Sequence, residues 1–192
     1  MEEAKKKNKT TERISHFSCK TILSIFYRNN YDNKLEHLYL GQVLTIVFFQ
    51  KFLRLNSHVP FPVNHTNHIN KIGKLEIHKS ATASFAISGG LYVQRINGLY
   101  IGEGTMIAPG TKIITANHSF DNLNDFVCNG PIRIGKNCWI GVNCSILPGV
   151  SLGDNCVVGS GAVVTKSFPD NSIIAGVPAK IIQRNSTLKE QE

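Results

Sequence analysis

From Ile134 onward the chain can be written in sixes: IGKNCW, IGVNCS, ILPGVS, LGDNCV, VGSGAV, VTKSFP. An aliphatic residue opens every unit, at Ile134, Ile140, Ile146, Leu152, Val158 and Val164, and a small or compact residue usually holds the fifth place. IGEGTM, IAPGTK and IITANH repeat the pattern upstream from Ile101, Ile107 and Ile113. A period of six fits neither the alternation of a half-buried strand nor the roughly 3.6-residue turn of a helix, so the backbone must turn at fixed intervals. Glycines and asparagines at the second to fourth places suit those corners, because they tolerate the positive φ that a tight turn needs. Successive coils then stack their opening aliphatics while strands of neighbouring coils pair about 4.8 Å apart. The pattern predicts a solenoid.

The elements WIG, LPGV, GSGAVVTK and AGVPAK follow one another within Pro131 to Ile182. In that order they resemble the hexapeptide-repeat acyltransferases, and in particular the sugar and polysaccharide O-acetyltransferases. The resemblance extends over Ile77 to Ile182 and implies a mainly β fold, a left-handed parallel β-helix with three hexapeptides per coil. On that frame residues 1–70 are an N-terminal extension with an apolar, helical segment. Residues 71–182 are the β-helix with one excursion loop over 119–130, and 183–192 are a C-terminal tail. A coil of three hexapeptides sets Cys138 beside Cys156 and Cys144 beside Ala162, as small fillers facing inward.

The repeat stops at IITANHSFD, residues 113–121, and resumes about a dozen residues later. A regular solenoid has flat faces, so a cleft has to be built where the repeat is interrupted. Acyl transfer from a thioester to a hydroxyl needs a base, and imidazole titrates in the right range. The family implies such a base at the foot of this excursion, and His118 is the residue that matches it. The group that orients the ring is open between Asp121, Asn117 and a backbone carbonyl.

The family also implies acetyl-CoA as the acyl donor, a co-substrate, with no metal. Its phosphates call for cationic or N–H partners. The resemblance implies that Gly141, Ser160, Ala162, Thr165 and Lys166 lie along the pantetheine arm, and Lys180 with Arg184 near the phosphates. Many relatives are basic where this chain has Gln183, and Arg184 stands beside it. Trp139, the single tryptophan, packs under the coenzyme or acceptor, or anchors a subunit contact. Gln94, Asn97, Asn117 and Asp121 belong to the acceptor side, although Asn97 before Gly98 equally suits a turn. The family further implies a homotrimer with sites between subunits, and a sugar or cell-surface polysaccharide hydroxyl as acceptor. Alternative acceptors are an amino sugar, serine or an antibiotic. Outside this chemistry stand a non-catalytic scaffold and a metal-dependent β-helix protein, the latter needing three histidines in the coils where only His118 lies in the clear repeats.

Charge narrows the partners less than the repeat does. A formal charge of +8 and a pI near 9.3 suit nucleic acid, a membrane surface or an anionic cofactor alike. No basic face interleaved with aromatics supports nucleic acid. Met1 to Lys9 carries four lysines against two glutamates and reads as a solvated tail. The apolar run Leu38–Leu55 has about a dozen residues before Lys51, where a spanning helix needs about 20. It is expected to be a helix packed on the main domain, or one lying in peripheral contact with the inner membrane. The five cysteines, Cys19, Cys128, Cys138, Cys144 and Cys156, form no CxxC pair, and their odd number fits a reducing cytoplasm. No signal peptide is read at the N-terminus, and His65 with His68 lacks a third ligand for a metal.

Overall fold

The computed structural model describes residues 19–28 and 30–184, with Arg184 described by its backbone; the lysine-rich tail and residues 185–192 lie outside the described residues. Among the described residues, thirteen short strands build three parallel sheets, the sides of a triangular, left-handed β-helix. One sheet holds β1 (His68–Ile69), β3 (Tyr92–Gln94), β6 (Lys112–Ile114), β11 (Ser145–Ile146) and β14 (Val163–Val164). The second holds β2 (Leu75–Ile77), β4 (Leu99–Ile101), β9 (Ile132–Ile134) and β12 (Ser151–Leu152). The third holds β5 (Met106–Ile107), β10 (Trp139–Ile140), β13 (Val157–Val158) and β15 (Ser172–Ala175), closed by the antiparallel β16 (Lys180–Arg184). A separate hairpin pairs β7 (Asn117–His118) with β8 (Phe126–Val127).

The nine opening aliphatics all point inward and are at most 4% exposed. Trp139 pairs with Val157 and Ile140 with Val158, a register of eighteen residues per coil. Across the interruption Ile140 pairs with Ile107, thirty-three residues away, so the excursion adds fifteen residues to one coil without disturbing the register on either side. The fourth place turns the corner with positive φ in seven of the nine units, from 52° at Asn137 to 76° at Gly149, the exceptions being Ala116 at the break and Ser167 in the last unit. These are the positions the repeat reserves for asparagine or glycine.

The fifth place is buried at Thr105, Thr111, Cys138, Cys144, Val150, Cys156, Ala162 and Phe168. The thiols of Cys138, Cys144 and Cys156 donate to the carbonyls of Gly153, Gly159 and Pro169 at 3.1–3.3 Å. The adjacent Cys156 thiol, together with burial, holds the Cys138 thiol well above its ordinary range, and burial raises Cys144. These cysteines are packed, satisfied fillers.

The N-terminal helices form a second apolar cluster. Residues 19–27 are helical (α1), and Leu40–Val47 (α2) runs on through a π turn over Phe48–Phe52. Cys19, Leu23, Tyr27, Leu35, Val43 and Ile46 close on Ala83 and Ala86 of α3 (Thr82–Ile87). Gln50, 1% exposed, ties this cluster to the coils: its Oε1 accepts from Tyr27 Oη at 2.8 Å and from the Val63 N–H at 3.0 Å. Its Nε2 donates to the carbonyls of Asn56, Val59 and Phe61. The other side of the apolar run stays open, with Leu44, Phe48, Phe52 and Leu55 each 45–68% exposed. Among the described residues, no helix is long and apolar enough to cross a membrane.

Candidate active site

The fifth-place rule fails once, at Asn117, and there the chain leaves the coil. Asn117 and His118 are exposed, and pair with Val127 and Phe126 across the hairpin. The excursion therefore starts ahead of the expected 119, because His118 itself sits in its first strand. The tip is closed by the Ser119 N–H on the Asp125 carbonyl and by Asn122 Nδ2 on Asp125 Oδ2, both at 2.9 Å.

Within this hairpin the His118 ring meets the Leu123 carbonyl through Nδ1 at 2.5 Å. A carbonyl can only accept, so Nδ1 carries a proton, and in the neutral ring Nε2 presents its lone pair. The Phe126 ring packs against the imidazole with centroids 4.7 Å apart. Of the three orienting groups considered, the backbone carbonyl is the one the ring contacts. The Asp121 backbone N–H donates to Ser119 Oγ at 3.2 Å.

The expected coenzyme residues divide between two corners of the solenoid. Gly141 and Ser160 stack in successive coils at the corner that leads into β11 and β14: a Cβ on Gly141 would stand 2.7 Å from the Ser160 nitrogen. The row continues through Ala175, where a Cβ on Gly159 would meet the Ala175 Cβ at 3.0 Å, to Lys180, which pairs with Ala175. Thr165 and Lys166, both exposed, follow β14 at the opposite corner, where β6 also ends and the hairpin departs. Ala162 does not join them. Its side chain is fully buried, its N–H donates to the Gly159 carbonyl and its carbonyl accepts from Ser145, so it fills the core. Arg184 pairs with Ser172 through the backbone, and its side chain lies outside what is described.

Trp139 stands outward and 55% exposed beside Met106, 54% exposed, on adjacent strands. Gln94 and Asn97 are not turned to an acceptor. Gln94 Oε1 accepts from the Ala116 N–H, and the Asn97 amide donates to the carbonyls of Thr115 and Val127. Sequence reasoning missed Leu123 because it acts through its carbonyl, which any residue supplies. Phe126 was missed because nothing in NHSFDNLNDFVC marks which aromatic folds back. Among the described residues, no three His, Cys, Asp or Glu side chains gather as a metal site.

Comparison with known proteins places this geometry. The family of the hexapeptide repeat of succinyl-transferase matches residues 131–166. A Saccharomyces cerevisiae protein named an acetyltransferase is 41% identical over 180 residues, covering 78% of this chain and 92% of its own. The galactoside O-acetyltransferase of Escherichia coli K12 is 41% identical over 86 residues, 43% of this chain; the match spans 42% of that enzyme's length. The same fold occurs in a hexapeptide-repeat acetyltransferase of Vibrio cholerae solved with acetyl coenzyme A, with a TM-score of 0.51, 20% identity, and coverage of 86% of this chain and 87% of that one.

Proposed function

The chain belongs to the hexapeptide-repeat acetyltransferase family, and from that premise we propose an acetyl-CoA-dependent O-acetyltransferase acting on a hydroxyl of a sugar or cell-surface polysaccharide unit. His118 is its general base. Nε2 takes the acceptor hydroxyl proton as the oxygen attacks the thioester carbonyl in a ternary complex. The tetrahedral intermediate then expels the coenzyme thiolate, which recovers the proton from the imidazolium. The observation that carries this reading is the ring itself: Nδ1 is committed to Leu123, which leaves Nε2 for the acceptor, and the side chain is exposed at the break in the repeat.

Gly141 and Ser160 receive the pantetheine arm by backbone contact, Thr165 and Lys166 flank it near the hairpin, and Lys180 with Arg184 meets the phosphates. A homotrimer would cover the outward Trp139 and the apolar hairpin residues Phe120 and Leu123, which are 101% and 71% exposed in the single chain. Asn117, Asp121 and Trp139 remain the groups available to the acceptor.

Calorimetric titration with acetyl-CoA tests the donor half without needing the acceptor. Saturable binding near one site per chain, weakened by at least about tenfold in a Lys180→Ala, Arg184→Ala double variant, is the expected result; loss of two charge-assisted contacts accounts for that size. A folded protein that binds no acetyl-CoA would overturn the assignment.

The exposed row Leu44, Phe48, Phe52 and Leu55 beside Lys51 and Arg54 supports peripheral contact of a cytoplasmic protein with the inner membrane surface. Sedimentation with vesicles of anionic phospholipid is expected at low salt and is expected to fade in a Phe48→Ser, Phe52→Ser variant or at high salt. Intact protein left in the supernatant at low salt removes this placement.

A further inference from the structure

The carboxamide of Asn97 reaches both legs of the hairpin at its root. Nδ2 donates to the Thr115 carbonyl at 2.8 Å, on the leg leaving the coil, and to the Val127 carbonyl at 3.1 Å, on the returning leg. The Asn97 N–H donates to Thr115 Oγ1 at 3.1 Å, and Thr115 is fully buried. One position further along the outgoing leg, the Ala116 N–H is held by Gln94 Oε1 at 2.8 Å. Val127 is the partner of Asn117 across the hairpin, so a single side chain sets the separation of the two strands next to His118.

We infer that Asn97 is a positioning residue for His118: its double-donor amide clamps the hairpin root so that the Leu123 carbonyl stays on Nδ1 and Nε2 stays free. The inference deepens the reading of His118 as base and rests on it for its catalytic meaning.

The two amides do opposite work, and a carboxylate distinguishes them because it keeps the acceptors and loses the donors. Asn97→Asp sets a charged oxygen against two carbonyl oxygens and releases the clamp. Gln94→Glu adds the same charge yet still accepts from Ala116. The test is long-range nitrogen–proton correlation of the histidine rings in the full-length protein, with the His118 signals identified by their loss in His118→Gln. The wild type and Gln94→Glu should carry the proton on Nδ1. Asn97→Asp should lose that signal in favour of the Nε2–H form.

Asn97→Ala, which removes the donors without adding charge, must give the same change and serves if Asn97→Asp does not fold. Retention of the Nδ1–H form in the Asn97 variants overturns the inference. So does an equal loss in Gln94→Glu, since added charge would then be the cause. Turnover of His118→Ala decides the base assignment separately: a dispensable His118 ends that assignment and leaves the ring measurement to decide the clamp.

Discussion

His118→Ala is expected to retain the fold and acetyl-CoA affinity of the parent and to lose turnover by about 10² to 10⁴, the usual contribution of a positioned general base. The asymmetry follows from where the residue sits. His118 is exposed on a hairpin outside both apolar clusters, so truncating it opens no cavity in the solenoid. The residues proposed for the coenzyme, Gly141, Ser160 and Lys180, belong to coils and to the closing strand, which the hairpin does not build. What disappears is the nitrogen held ready by Leu123. The measurement is steady-state transfer from acetyl-CoA to a panel of galactosides and oligosaccharides, with calorimetric binding and thermal unfolding recorded on the same preparation. Unchanged kcat would remove His118 from the mechanism, and a loss of coenzyme binding in parallel would reassign it to the donor site.

Gln50→Leu is expected to destabilise the protein by about 3 kcal/mol or more, since each buried group left without a partner costs about 1–3 kcal/mol. The Tyr27 hydroxyl and the Val63 N–H lose their acceptor, and the carbonyls of Asn56, Val59 and Phe61 lose a donor, in a site that is 1% open to water. Leucine fills much of the volume and satisfies none of them. For a chain of this length the effect corresponds to a fall in Tm of roughly 6–12 °C. Because Val59, Phe61 and Val63 belong to the coil core and Tyr27 to the N-terminal cluster, the helical layer is expected to melt ahead of the coils. Calorimetric unfolding checks both points. A Tm within about 2 °C of the parent would show that the amide is not the tie between them.

The solenoid was legible because its rule is local. Each unit opens on an aliphatic that faces inward and most hold asparagine or glycine with positive φ at the fourth place, so periodicity alone locates the nine opening residues from Ile101 to Val164 in the core. The N-terminal helices were legible only as an apolar run. Nothing in Leu38–Leu55 reveals that Gln50, a polar residue, is among the most buried of the segment, since that depends on carbonyls between Asn56 and Phe61 turning toward it. At the site, the break in period marks His118, but Asn97 and Gln94 read equally well as acceptor ligands. Their engagement with the hairpin root is set by the coil that brings Thr115 and Ala116 beside them. Ala162 stands in two readings at once, beside Cys144 in the inward stack and along the pantetheine arm, and its full burial agrees with the first.

The pairing of Ile140 with Ile107 across fifteen inserted residues has a consequence for how such a chain can change over generations. The coils on either side meet as neighbours whether or not anything is spliced between them, so the insert can vary beyond the root that Asn97 and Gln94 hold without disturbing its frame. Mutations that lengthen, recolour or retune the hairpin are free of the penalty that the same changes incur in a coil. The frame behaves as a socket, and His118 travels in the interchangeable piece.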